Sequence, residues 1–134
     1  VKAVWVGLGK EAASLPGSRV HDPISYHGEY VRESNNAGGL EGGITTGEPL
    51  ILGAALKPIP TLYQPLESVE IKTHRKAKAQ VERSDTCVVP AAAVVAEAMV
   101  AWVLAEAYLE KFGGDTLGDL ESSLAVYRRR LRDY

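Results

Sequence analysis

From Ala91 to Ala105 every side chain is apolar except Glu97. A helix over these residues has no polar face and must be covered on most sides. It is therefore expected as the central helix of a layered core, continuing to about Lys111 and stopped by Gly113 and Gly114 at its C-cap. The fifteen residues of the run rise about 22 Å, against about 30 Å of membrane hydrocarbon. Glu97 makes insertion costlier still, so the run predicts a core helix and no membrane association. A carboxylate in such a layer needs a hydrogen bond, a cation or a place at the layer's edge.

The rest of the composition agrees with such a core. The chain has 134 residues, 46% of them hydrophobic and 24% charged, which predicts one compact domain, residues 1–134. The net charge of −2 argues against general nucleic-acid binding, which needs clustered cations to displace counterions. One local exception is the basic run Lys72, His74, Arg75, Lys76 and Lys78, read either as a solvated hairpin edge or as a phosphate-facing patch. The single cysteine, Cys87, excludes an intramolecular disulfide and fits a reducing, cytoplasmic setting. Chain start at Val1 rather than Met, inside an expected strand and without a secretory signal, reads as an interior cut.

Val1–Val6 reads as a strand, followed by Gly7, Gly9 and Ala12 in the spacing of a dinucleotide fingerprint. That fingerprint needs a full helix after its glycines, and Pro16 and Gly17 stop one within about two turns, so a strand, a short helix and a turn are expected. His21, Asp22 and Pro23 make a turn, Tyr26–Glu33 a half-buried strand, and Leu50–Leu56 and Glu67–Lys72 further strands. His21 and His27 lack partners at ligand spacing, so no metal site is expected. Asp115 is the expected N-cap of a last helix with Leu117, Leu120, Leu124, Tyr127 and Leu131 on one face. Arg128, Arg129, Arg130 and Arg132 close that helix, complementing its dipole or serving subunit contacts.

Three segments carry chemistry. Two Gly pairs, Gly38-Gly39 and Gly42-Gly43, exceed what one turn needs, and either form a plain hairpin or let something approach the backbone closely, such as a flat ring or an anion. Lys57-Pro58-Ile59-Pro60-Thr61 is a stiff extended pentapeptide, either a strand exit with an exposed lysine or, with an ammonium and a hydroxyl at its ends, a clamp for a phosphate. Arg83 and Asp85, two apart in an extended segment, share a face and present a cation beside a proton acceptor, or form a surface salt bridge. No nucleophile arrangement stands out: Ser84 and Cys87 lie near Asp85 without a local histidine, and Cys87 is expected to enter the core helix as a small apolar residue.

The block Arg32-Glu33-Ser34-Asn35-Asn36-Ala37-Gly38-Gly39-Leu40-Glu41-Gly42-Gly43-Ile44, then Gly47-Glu48-Pro49, Lys57 to Thr61, and Arg83 to Pro90 with Glu97-Ala98-Met99, closely resembles chorismate synthase in order and spacing. The resemblance runs from Val1 to about Leu120 and matches the C-terminal part of a longer family chain. It implies an α+β fold, part of a β-α-β sandwich with helices between antiparallel sheets. The implied activity is a phosphate lyase that converts 5-enolpyruvylshikimate 3-phosphate to chorismate and phosphate by 1,4-anti elimination. It implies reduced FMN as cofactor, NADPH in the flavin's supply of reductant, a homotetramer and no nucleic-acid or membrane partner.

Carried over by motif, Gly42 lies against the flavin, and Lys57, Pro58, Ile59, Pro60 and Thr61 bind it, with Lys57 and Thr61 on its phosphate. Arg83 lies near flavin and substrate phosphate, and Asp85 is the catalytic carboxylate that relays a proton. Ser84 stands where many members have histidine and Ile59 where threonine is usual; neither change removes a charge. The family's two catalytic histidines and its phosphate-binding arginine cluster belong to the N-terminal part, and His21, His27 and His74 fall outside those motifs. The isolated chain is therefore expected to be inactive. The alternative is a truncated, non-catalytic flavin-binding or subunit-interaction module.

Overall fold

A computed structural model describes residues 1–83 and 85–133. The chain forms two compact units, Val1–Asp85 and Thr86–Tyr134. Helices plus small antiparallel sheets make it α+β, as expected.

Among its described residues the first unit contains four two-stranded antiparallel sheets. Strand β1 (Ala3–Val6) pairs with β6 (Leu52–Ala55), in a register that sets Trp5 opposite Gly53. Side chains cross-strand on one face touch, and a residue without Cβ leaves room for a large neighbour: the indole fills the space where a Cβ on Gly53 or on Gly9 would stand. A 3-10 helix over Gly9–Ser14 follows β1, short because Pro16 lies just beyond it. Gly9 is thus a seat for Trp5, which accounts for the second glycine of the apparent fingerprint.

Tyr26–Glu33 is not one strand. It is a hairpin of β2 (Ile24–Tyr26) and β3 (Tyr30–Arg32), reversed through Gly28, with the Tyr26 and Tyr30 rings 5.1 Å apart. Gly28 at φ +93 supplies the turn that the alternating pattern concealed. Strands β4 (Leu40–Glu41) and β5 (Ile44–Thr45) form a second tight hairpin across Gly42-Gly43. Strand β7 (Glu67–Val69) stops short of the expected Lys72 and pairs with β8 (Lys76–Lys78). The basic run therefore occupies the turn and second strand of a hairpin, with Glu67 opposite Lys78.

The second unit is two helices, α1 (Val89–Phe112) and α2 (Leu117–Arg132). Pro90 sits in the first turn of α1, where its missing N–H leaves no orphan, and Gly113 ends the helix with its amide on the Leu109 carbonyl. Thr116, not Asp115, caps α2: its hydroxyl accepts from the Asp119 amide, and Asp119 accepts from the Thr116 amide in a capping box. Both residues are good caps; the one three positions before an acidic side chain prevails. Phe112 packs against Tyr108 and Tyr127 at 5.5 and 5.3 Å, and Lys111 lies 4.2 Å above the Tyr127 ring, joining the helices through an aromatic and cationic stack.

Three expectations are corrected here. Cys87 precedes α1 and is exposed, because the helix starts at Val89 and not before it. Helix α1 is not covered by α2: Trp102 is 73% exposed and Val94 67%, and no apolar side chain among the described residues is buried. The uniform hydrophobicity establishes the need for cover, and α2 alone does not supply it. The length argument against a membrane also falls, since α1 has 24 residues, spanning about 36 Å, and a mean hydropathy of 1.7 over its apolar window. By length and composition alone it could cross a membrane, as could the central helix of a layered protein.

Candidate functional site

The three buried residues among those described are Asp22, Gly38 and Gly39. Asp22 is the anchor. Its Oδ1 accepts from the Ser34 hydroxyl at 2.5 Å and the Asn36 amide at 2.7 Å, and its Oδ2 from the Ala37 amide at 2.9 Å. Burial pushes its carboxyl upward, but the bonds from Ser34, Ala37 and Asn36 and the nearby Arg32 charge outweigh it and hold the pKa below the ordinary aspartate range. A carboxylate with a depressed folded pKa adds stability that is present above the unfolded value and lost as pH falls through the folded one. Urea midpoints should therefore fall on acidification across that window, and the slope should shrink in Asp22→Asn.

Asn35 continues the scaffold, accepting from the Gly39 amide at 2.7 Å and donating to the Pro49 carbonyl at 2.9 Å. The Gly38 and Gly39 carbonyls take the amides of Ile51 and Thr46. Backbone crowds this first Gly pair: a Cβ on Gly38 would strike the Gly7 backbone, and one on Gly39 the Pro49 carbonyl. The close approach read from the sequence is real there, and what approaches is the chain itself.

The second pair differs. Gly42 and Gly43 have φ of +58 and +79, the double positive φ that a type I′ hairpin needs, and a Cβ at either would meet nothing within 4 Å. The hairpin is tied to β3 by a bidentate ion pair, Arg32 Nη1 and Nη2 on the Glu41 carboxylate at 3.0 and 2.8 Å. It therefore presents a bare, braced peptide surface.

Lys57, Pro58 and Pro60 are exposed and Ile59 and Thr61 half-buried, in an irregular stretch after β6. Arg83 and Asp85 do share a face: Arg83 Nε donates to Asp85 Oδ1 at 2.7 Å, with side chains 77% and 49% exposed. Ser84 lies outside the described residues. All these residues belong to the first unit, and no hydrogen bond among the described residues joins Gly42, the pentapeptide and the Arg83–Asp85 pair to one another. Sequence reasoning missed Asp22 and the Arg32–Glu41 brace. The signal available for Asp22 was a lone Asp before proline, and its partners lie 12 to 15 residues on.

The arrangement offers a carboxylate beside a guanidinium, an exposed ammonium and a half-buried hydroxyl at the two ends of the pentapeptide, and an open turn. Comparison with known proteins gives it a family. The family model described as chorismate synthase matches residues 1–109. The chorismate synthase of Trichlorobacter lovleyi is 58% identical over all of this chain and 36% of its own length. That of Desulforamulus reducens is 58% identical over 98% of this chain and 35% of its own, and that of Moorella thermoacetica 56% identical over 99% and 35%. A crystal structure of chorismate synthase superposes with a TM-score of 0.77 at 41% identity, over 99% of this chain and 33% of that one. The chain thus spans about a third of the length of these relatives. With its glycine hairpin, pentapeptide and Arg–Asp pair lying within a match that long, this chain belongs to the chorismate synthase family.

Proposed function

We infer that this chain forms the flavin-contacting C-terminal portion of a chorismate synthase, a cytoplasmic, homotetrameric lyase of aromatic biosynthesis. Its substrate is 5-enolpyruvylshikimate 3-phosphate, its products chorismate and phosphate. The observation that carries this reading is the open glycine hairpin in a chain of this family, where a Cβ at Gly42 would meet nothing within 4 Å.

The residues present fit FMN. Gly42 leaves room for an isoalloxazine ring, and Lys57 and Thr61 offer an exposed ammonium and a hydroxyl for the phosphate, on a segment stiffened by Pro58 and Pro60. Reduced FMN, maintained with NADPH, would supply electron density to the substrate as phosphate departs, without net redox change. Arg83 would balance the anionic charge of flavin and leaving phosphate. Asp85, whose Oδ1 is engaged by Arg83, holds Oδ2 as the atom that takes the proton lost in the elimination. The all-round apolar surface of α1 suits a helix packed between the sheets of the complete sandwich.

Lys57→Ala tests the cofactor assignment in the protein that carries these residues. Losing a charge-assisted hydrogen bond of about 1.5–3 kcal/mol should weaken FMN binding about 10- to 100-fold, read by flavin fluorescence titration at constant ionic strength. An unchanged dissociation constant would remove the pentapeptide from the flavin site.

A further inference from the structure

We propose that Asp22 is the positioning residue of the glycine hairpin, holding Gly42 where the flavin ring would lie. The proposal rests on the reading of Gly42 as flavin-facing and adds to it the residue that fixes its place.

Asp22 is the one buried polar side chain among the described residues, 8% exposed, and none of those residues buries an apolar side chain. A buried carboxylate is costly unless its lone pairs are used, and here both oxygens are engaged by donors from a single loop. Donors from Ser34, Asn36 and Ala37 turn that loop around the carboxylate, and Asn35 between them locks the Gly39 amide and the Pro49 carbonyl. Gly39 leads directly into β4, which ends at Glu41, so only two residues separate the locked amide from the open turn. Arg32 braces the same strand through Glu41 and contributes a favourable charge at Asp22. Displacing the loop would therefore carry the hairpin with it, because a two-residue strand has no independent stability.

The test is a double-mutant cycle on FMN affinity in the protein that carries these residues, using Asp22→Asn, Gly42→Ala and both together. Asp22→Asn keeps the shape but turns one acceptor into a donor facing the loop. It should raise the FMN dissociation constant about tenfold, with turnover at saturating flavin kept within about threefold, a split that general destabilisation would not produce. Gly42→Ala should also raise it about tenfold or more, and the double variant should be no worse than the weaker-binding single, because the two act through one contact. Amide exchange at Asn36 and Ala37 should accelerate in Asp22→Asn. If that variant fails to fold, Ser34→Ala removes one of the three bonds and should show a smaller loss, about threefold, with the same non-additivity. Additive losses, or unchanged affinity in Asp22→Asn while Gly42→Ala binds poorly, would overturn the positioning role. Unchanged affinity in Gly42→Ala would overturn the flavin-facing reading itself, and the proposal with it.

Discussion

Asp85→Asn should lower chorismate formation by about a thousandfold, while FMN affinity stays within about threefold of the unsubstituted protein. A positioned proton acceptor contributes roughly 10²- to 10⁴-fold, and an amide cannot accept the proton at all. The geometry makes the substitution unusually clean. Asp85 is held by Arg83 through a single 2.7 Å bond, and a carboxamide oxygen can still accept it, so Arg83 keeps its place. The pair is exposed, and exposed pairs contribute about 0–1 kcal/mol, so its weakening should not unfold the protein. The assay is anaerobic and reducing, with the complete protein and 5-enolpyruvylshikimate 3-phosphate. Turnover within tenfold of the unsubstituted protein would remove Asp85 from the chemistry. A parallel collapse of FMN affinity would instead make it a binding residue.

The Arg83–Asp85 pair was readable from the chain because it is local: residues two apart in extended backbone face the same way. The stop of α1 at Gly113 was readable for the same reason, as were the limits on the first short helix. What the sequence could not disclose depends on partners far along the chain. The turn at Gly28 was hidden because Tyr26–Glu33 alternates on both sides of it, and the alternation continues through the reversal. Asp22 looks like any turn aspartate until the loop beginning at Ser34 folds over it. The apolar run over α1 announced a surface that needs cover but carried no information on what covers it. The roles proposed for Gly42, Lys57 and Thr61 rest on the resemblance and not on local physics, because a bare turn and an exposed lysine have many uses.

The two Gly pairs show that limit most directly, and they give the second large expected effect. By composition Gly38-Gly39 and Gly42-Gly43 are interchangeable, yet one is crowded by backbone and the other faces open space. Gly38→Ala should therefore destabilise the protein by roughly 2–5 kcal/mol, combining about 1–2 kcal/mol for a side chain at φ +65 with about 1–3 kcal/mol of overpacking strain from a methyl against the Gly7 backbone and the Ile51 carbonyl. Neither obstacle is the end of a flexible side chain, so relief requires β1 and the loop to separate, breaking the bonds from Gly7 to Ile51 and from Leu8 to Asn36. Gly47→Ala is the control: φ is +93, but nothing lies within 4 Å, so only the conformational cost of about 1–2 kcal/mol applies. Against a total stability of about 5–15 kcal/mol, the first change approaches loss of the fold and the second does not. Denaturant unfolding of the two variants measures the difference, and equal losses would mean that the crowding at Gly38 is absent in solution.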